Sequence, residues 1–106
     1  MSIYHELVDC FSHYDPKTFR NIHHEEFMMV REAELSTLDE HCEIIDELAS
    51  KPSWDWHLKA DLIHENDYCM ETRWIDGDEV VTNINLKKDG KLWRAIISRT
   101  PRKKVA

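Results

Sequence analysis

The sequence predicts an α+β fold in which two helices, a strand and a third helix precede four antiparallel strands. Three observations favour this order. Apolar residues recur at helical spacing in the first half of the chain, the period changes to two after residue 54, and turn-forming residues separate the alternating segments. Such an order of elements is typical of an architecture that encloses a pocket.

Length and charge limit the classes of protein to consider. The chain has 106 residues, 42% of them hydrophobic and four of them Trp, which predicts one packed domain over residues 1–106. The net charge of −7 argues against nucleic acid as a partner, because binding to phosphates depends on Lys and Arg. The basic residues at the end, 101–106, predict a flexible, solvated tail.

Cysteine usage and the N-terminal residues indicate the compartment. Cys10, Cys42 and Cys69 are odd in number and form no Cys-x-x-Cys motif, so neither a disulfide framework nor a zinc ribbon is predicted. The first ten residues lack the unbroken apolar stretch of a signal peptide, and no segment has the length of a membrane span. We therefore expect a cytoplasmic protein with no membrane partner and no metal.

Capping residues mark the predicted helices. Ile3 and Leu7 begin the apolar stripe of the first helix, and Asp15-Pro16 provides the N-cap and first residue of a short second helix. Ser36-x-x-Asp39 has the form of a capping box for the third helix, which Pro52 ends.

The strands are predicted from short apolar runs and from alternation. The run from Phe27 to Val30 predicts a strand over about residues 26–33. Apolar side chains then alternate with polar ones from Trp54 to Leu62, which predicts the first strand of a meander. Turns are predicted at residues 65–67, 76–78 and 88–90.

Bulky apolar side chains occupy both predicted faces of the later strands. One face carries Tyr68, Met70, Trp74, Ile84, Leu86, Leu92 and Ile96, and the other carries Ile75, Val81, Trp93, Ala95 and Ile97. Because such a sheet needs a cover on each side, we expect the helices on one face and a second subunit on the other. A homodimer through the outer sheet face is the resulting prediction.

Two stretches carry a resemblance to a known family. The Ile-His-x-x-x-Phe pattern at Ile22–Phe27, and the ending that runs from Lys88–Arg94 through Arg99–Pro101, resemble the nuclear transport factor 2-like superfamily. Within it, the likeness is to SnoaL-like and ketosteroid isomerase-like proteins. The resemblance implies a cone-shaped, curved antiparallel sheet wrapped around the N-terminal helices (a cystatin-like α+β barrel), with a pocket at its open end and dimers through the outer sheet face.

Members of this superfamily include isomerases, cyclases, dehydratases, subunits of larger enzymes and binding modules, so the fold alone does not choose a function. The isomerase-like members place a carboxylate on the first strand, whereas Met28–Arg31 has no acid in its middle. Their acidic donor on the penultimate strand corresponds to Asn83, which donates a hydrogen bond but transfers no proton. Tyr14 corresponds to their hydrogen-bonding Tyr.

One row of residues is the best candidate for the pocket wall. It consists of the odd-numbered residues Glu71, Arg73, Asn83, Asn85, Trp93 and Arg99. If this face points inward, it suits a small polar or anionic ligand; if it points outward, it is an ordinary solvated face.

His23 is a candidate proton carrier at the mouth of the pocket, and the alternative is a polar loop before the first strand. Adjacent residues on an extended chain point to opposite sides, so the segment His23–Glu26 is not predicted to hold a metal.

The first hypothesis is therefore a SnoaL-like small-molecule-binding protein without a cofactor, whose chemistry, where present, is isomerisation, cyclisation or dehydration. The alternatives are a non-catalytic dimerisation or association module, and the small subunit of a larger enzyme. An enzyme requires a titratable group with a perturbed pKa in the pocket, whereas an association module needs only a filled interior. The sequence leaves open whether the protein is an enzyme.

Overall fold

The computed structural model describes residues 2–102, which form four helices and six strands. The helices are α1 (Ile3–Ser12), α2 (Pro16–Asn21), α3 (Leu38–Ala49) and α4 (Trp56–Lys59). The strands are β1 (His23–Arg31), β2 (Glu34–Thr37), β3 (Asp61–Glu65), β4 (Cys69–Asp76), β5 (Glu79–Lys88) and β6 (Lys91–Pro101).

Side-chain caps explain where the three predicted helices begin. The Ser2 hydroxyl accepts from the His5 amide at 3.2 Å, and Asp15 caps α2 ahead of Pro16. The capping box of α3 is formed by Thr37, one residue after the predicted Ser36, together with the side chain three positions further on. No helix within residues 2–102 is long and apolar enough to cross a membrane.

The six strands form one curved, open sheet in the order β2-β1-β6-β5-β4-β3. The β1–β6 pair is parallel, and the other neighbours are antiparallel. This confirms the predicted α+β class and its order of elements. The structure adds the short strand β2, which forms a hairpin with β1, and the single-turn helix α4.

The predicted strand over residues 54–62 is wrong in its first part, because Trp56–Lys59 is helical and β3 begins at Asp61. The helical turn buries Trp56, whose ring lies 5.5 Å from that of Phe11, and leaves Leu58 80% exposed. The alternation of large apolar residues therefore did not mark one face of a strand.

Strand β1 also differs from its predicted bounds, since it begins at His23 and ends at Arg31. Glu32 and Ala33 form a two-residue loop before β2, and Glu32 has a φ of 57°. Two-residue hairpins that match the twist of the strands require a positive φ in the loop, so the chain reverses earlier than the apolar run suggested.

The hairpin between β4 and β5 fixes which side chains share a face. Asp76 pairs with Glu79 across a two-residue loop, so even-numbered residues of β4 lie beside odd-numbered residues of β5. The predicted assignment of faces, which kept one parity through all the later strands, is wrong for β4. It is also wrong for Leu92 and Trp93 at the start of β6, because the register shifts between Leu86 and Lys87. The inner face, which packs against the helices, carries Met70, Thr72, Trp74, Val81, Asn83 and Asn85.

The core lies between this inner face and the helices. It includes Ile3, Leu7, Cys10, Phe11, Phe19, Phe27, Met29, Cys42, Ile45, Trp56, Met70 and Ala95. On the outer face, Ile84, Leu86 and Ile96 are 44%, 47% and 57% exposed.

The first two residues of the predicted C-terminal tail, 101 and 102, belong to the folded part of the chain. Pro101 lies in β6, and the Arg102 amide donates to the Asp78 carbonyl at 2.8 Å. Residues 103–106 of the predicted tail lie outside the described residues.

Candidate ligand-binding site

A cavity of about 360 Å³ lies between the inner face of the sheet and the helices. Aromatic and aliphatic side chains form most of its wall, with a smaller number of polar and charged groups. The wall residues include Leu7, Phe11, Phe19, Met29, Ile45, Leu48, Trp54, Trp56, Trp74, Leu92 and Ile97 among the apolar ones. Its polar and charged residues are His23, Arg31, His41, Asp55, Lys59, Asp76, Asn83, Asn85 and Arg99.

Strand register arranges the sheet side of the cavity in rows of cross-strand neighbours. The deepest row is Met29, Ala95, Asn85 and Met70, the middle row is Arg31, Ile97, Asn83 and Thr72, and the next is Arg99, Val81 and Trp74. Charged groups therefore appear only in the middle row and beyond, towards the ends of β1 and β6.

Two buried histidines line the cavity, His23 at the start of β1 and His41 on α3. His23 and His41 are 4% and 6% exposed, and their ring centroids are 5.4 Å apart. The Nδ1 atom of His23 lies 2.8 Å from the Phe19 carbonyl oxygen. A carbonyl only accepts hydrogen bonds, so Nδ1 carries the hydrogen and Nε2 is an acceptor in the neutral ring.

Both imidazoles are neutral near pH 7. Burial lowers the pKa of His23 to about 4, although the hydrogen bond to Phe19 acts in the opposite direction. Burial, followed by the charges of His23 and Arg31, lowers the pKa of His41 to about 3. Their hydrogen bonds with any ligand are therefore those of neutral rings.

Three buried polar atoms in the cavity wall have no hydrogen-bond partner within residues 2–102. They are Nδ1 of His41, Nε1 of Trp54 and Oδ1 of Asn83. Buried polar atoms in folded proteins are normally bonded to protein or water, so these three atoms are exceptions among the described residues.

The charged groups of the wall are mostly neutralised by one another. Lys59 and Asp55 approach to 3.1 Å, and Arg99 and Asp76 to 2.8 Å. Arg31 has no carboxylate within 4 Å among the described residues. The wall therefore contains one guanidinium without a counter-charge.

The structure brings His23, Asn83, Asn85 and Arg99 together in the cavity wall. It separates the other half of the predicted polar row, since Glu71 and Arg73 lie on the outer face of the sheet. Their side chains form an exposed ion pair at 3.3 Å. The reason is the two-residue hairpin between β4 and β5, which places the odd-numbered residues of β4 on the outer face and those of β5 on the inner face.

Trp93 lies outside the cavity, contrary to its predicted place in the polar row. Its Nε1 donates to Oε1 of Glu26 at 3.3 Å, and the Arg94 guanidinium lies 4.1 Å from its ring centroid. This position at the surface is stable for Trp93, because the Arg94 cation lies against the ring and the indole N–H has a hydrogen-bond partner.

Tyr14 does not belong to the cavity wall either. Its ring stacks on Phe11 with centroids 6.0 Å apart, and its hydroxyl donates to the Asp46 carboxylate. Burial and then this carboxylate raise the pKa of Tyr14. Tyr14 therefore joins α1 to α3 beside the core.

Sequence reasoning missed His41 and Arg31. His41 lies between Leu38 and Ile45 on the apolar stripe of α3, and this position in the stripe was a signal that it faces the core. Arg31 is two residues after Met29 on one strand, so the two share a face. The alternation of side chains along this strand was therefore a signal that Arg31 faces inward with Met29.

The arrangement suits binding better than proton abstraction. Both wall carboxylates, Asp55 and Asp76, lie in ion pairs, and the hydrogen bond from Arg99 lowers the pKa of Asp76. A carboxylate with a lowered pKa is a weak base. Within residues 2–102, no group of three or more His, Cys, Asp or Glu side chains is arranged to hold a metal ion.

No protein-family model matches the chain, and no curated protein matches its sequence. Solved structures do match. A nuclear transport factor 2-like protein of unknown function from Cytophaga hutchinsonii is 8% identical, with a TM-score of 0.65, over 98% of this chain and 92% of that one. A similar protein from Mesorhizobium loti is 17% identical, with a TM-score of 0.64, over 92% and 88% of the two chains.

A third match is a hypothetical protein from Catenulispora acidiphila with a ketosteroid isomerase-like fold, solved in complex with trimethylamine. It is 8% identical, with a TM-score of 0.59, over 92% of this chain and 84% of that one. Identities this low show a shared fold and leave the function of each protein to its own site. The chain thus has the nuclear transport factor 2-like fold, as its sequence predicted.

Proposed function

We propose that this protein binds a small, mainly apolar molecule in the cavity between the helices and the sheet. The observation that carries the proposal is the set of three unpartnered buried atoms, on His41, Trp54 and Asn83, in one cavity wall. A ligand with hydrogen-bonding groups provides the partners that the protein lacks, and each such bond contributes because the unbonded alternative is unfavourable.

The wall selects for an apolar body. Trp54, Trp56 and Trp74 line the cavity together with Phe11 and Phe19, and flat aromatic surfaces favour a flat ligand. The volume of about 360 Å³ lies within the range of small-molecule sites, roughly 300 to 1,000 Å³.

The proposal is for binding without acid–base catalysis by a wall carboxylate. The inward side chains of β1 are Phe27, Met29 and Arg31, so this strand places no carboxylate in the cavity. The neutral histidines, with pKa values of about 4 and 3, are hydrogen-bonding groups rather than effective bases near pH 7.

The test is a thermal-shift and calorimetric screen with small aromatic acids, amides and amines, including trimethylamine, which the structure from Catenulispora acidiphila contains. A ligand that prefers the native state raises its melting temperature. Ile97→Trp fills the cavity and should abolish the shift. Ile96→Trp is the matched control, because the neighbouring side chain lies on the outer face and is 57% exposed. An unchanged shift in Ile97→Trp contradicts the proposal.

We also propose that two copies of the chain associate through the outer sheet face. Ile84, Leu86 and Ile96 are about half exposed there, beside the exposed Glu71–Arg73 ion pair. A two-fold axis places the same patch of each copy against the other, so opposite charges within the patch can pair across the interface.

Sedimentation over a range of protein concentrations tests this association. Ile84→Lys should shift the equilibrium to the monomer, because it introduces like charges into both halves of the interface. Leu58→Lys is the control, since Leu58 is 80% exposed on α4, away from this face. A parent protein that stays monomeric at high concentration contradicts the proposal.

A further inference from the structure

We propose that the ligand is a flat, apolar monoanion whose carboxylate binds to Arg31, with its ring system among the tryptophans of the cavity. This inference rests on the proposed function and specifies its ligand class. The juxtaposition that carries it is that of the aromatic rings with a guanidinium that has no carboxylate within 4 Å among residues 2–102.

Strand geometry directs Arg31 into the cavity. It follows the buried Phe27 and Met29 at intervals of two along β1, and side chains at this interval share a face. Its neighbour on β6 is Ile97, which also lines the cavity. In the middle row of the inner face, Ile97 therefore lies between Arg31 on β1 and Asn83 on β5. The side-chain oxygen of Asn83 has no partner among residues 2–102.

Arg31 differs from the other cations of the wall in its partners. Lys59 and Arg99 lie 3.1 Å and 2.8 Å from carboxylate oxygens. The Nη2 atom of Arg31 has only the Sδ atom of Met29 nearby, at 3.4 Å, among its hydrogen-bond acceptors in residues 2–102. A thioether is a weak acceptor, so the five donors of the guanidinium are available to a ligand.

The groups around Arg31 leave its charge uncompensated. His41, which faces the same cavity, is neutral, and the charge of Arg31 contributes to the lowering of its pKa after burial and His23. A bound anion offsets that charge.

A carboxylate fits this position by shape as well as by charge. The planar guanidinium donates two parallel hydrogen bonds to a carboxylate, and such charged pairs are stronger than neutral ones. The indole N–H of Trp54 is a further unpartnered donor in the wall. The aromatic body of the ligand then lies against Trp56 and Trp74, which line the cavity.

The experiment compares three compounds with the same ring system by calorimetry: 2-naphthoate, 2-naphthamide and a naphthalene that carries a trimethylammonium group. We expect the acid to bind at least about tenfold more tightly than the amide, as hydrogen bonds to charged groups are stronger than neutral ones. Arg31→Gln should remove this difference and leave the affinity for the amide nearly unchanged. Arg31→Lys should retain part of the difference, because it keeps the charge and loses the bidentate geometry.

Arg73→Gln is the matched control, since it also removes one arginine from a strand of the sheet, but on the outer face. It should keep the full preference for the acid. A second readout is the pKa of His41, followed by NMR of its ring protons, which should rise when the acid binds to the parent protein and stay unchanged with the amide.

The outcomes separate this inference from the proposed function. Equal affinity for acid and amide, tighter binding of the cation, or an unchanged acid preference in Arg31→Gln overturns the anion proposal while the cavity remains a binding site. Failure of all three compounds to bind overturns the proposed function and this inference together.

Discussion

Each of the two faces of the sheet carries exceptions to the usual relation between polarity and burial. The inner face buries Thr72 and Asn85, which are 0% and 2% exposed, whereas the outer face leaves Ile84 and Ile96 44% and 57% exposed. Of these two polar residues, Asn85 lines the cavity, and the two isoleucines lie on an open surface. Hydrophobicity alone therefore does not identify the buried face of this sheet.

The ion pairs of the two faces differ in the same way. Lys87 and Glu65, on the inner side, have side chains that are 6% and 10% exposed, and their charged atoms lie 2.8 Å apart. Arg73 and Glu71, on the outer face, are 47% and 27% exposed, at 3.3 Å. The free energy lost when one partner of an ion pair is removed depends far more on whether the pair is buried than on a small difference in distance.

The largest predicted effect follows from the buried pair. Glu65 also accepts from the Ser2 hydroxyl and the Ile3 amide, both at 2.7 Å, so it joins β3 to the start of α1. Burial alone would raise the pKa of Glu65, but the bonds from Lys87 and from the start of α1 outweigh it and lower the pKa. Glu65→Ala should reduce the free energy of unfolding by about 3 to 5 kcal/mol, because it leaves a buried ammonium unpaired.

Urea denaturation measures this loss, with Glu71→Ala as the control on the outer face. That variant should lose less than about 1 kcal/mol, since exposed ion pairs contribute little. Similar losses in the two variants would show that burial does not distinguish the pairs.

A smaller contrast is expected for apolar side chains. Met70 is 0% exposed in the deepest row of the inner face, so Met70→Ala should reduce the free energy of unfolding by about 2 to 5 kcal/mol. Ile84→Ala, on the outer face, should cost less than about 1 kcal/mol when measured at concentrations where the chain is monomeric. A loss in Ile84→Ala that matches the loss in Met70→Ala would indicate that the outer face is covered within the monomer.

A different kind of contrast is expected in the pH dependence of stability. The pKa values of His23 and His41, about 4 and 3, lie below the value of about 6.5 in unfolded chains. Below about pH 6.5 the unfolded state therefore binds protons that the folded state does not, and stability falls as the pH is lowered. Each such histidine contributes a slope of about 1.4 kcal/mol per pH unit at most.

Urea titrations between about pH 6.5 and 5.5 measure this slope, because carboxylates bind few protons in this range. His41→Phe should reduce the slope of the free energy of unfolding against pH, by an amount that corresponds to at most one bound proton. His5→Gln, at an exposed position, should leave this slope unchanged. Parallel curves for the parent and His41→Phe would contradict the assignment of His41 as a buried neutral group.

The comparison of faces also explains which site residues the sequence predicted. His23, Asn83, Asn85 and Arg99 reached the cavity wall, whereas the residues predicted beside them on β4 lie on the outer face. The length of the turn decides whether odd-numbered or even-numbered residues of the following strand face inward. A two-residue loop and a three-residue turn give opposite results. The segment Asp76–Glu79 contains residue types that allow either, and the observed pairing selects the shorter loop.

The error at α4 has a related cause. Trp54–Ala60 alternates perfectly in polarity, but a segment this short has little structural preference of its own. Contacts of Trp56 with Phe11 and Tyr4, at centroid distances of 5.5 and 6.2 Å, make the helical turn the better packed alternative. Tertiary packing thus overrode a local pattern.

The sequence by itself determined the features that depend on neighbouring residues: the caps of α1 and α2, the stripe of α3, the turns of the meander and hence the α+β class. Only the tertiary structure decided which parity faces the helices and which polar atoms lie unpartnered in the cavity. It also decided that Arg31 has no carboxylate nearby within residues 2–102. The reason is physical, since capping and periodicity act within a few residues of the chain, whereas burial and charge pairing depend on residues that meet only in the folded state.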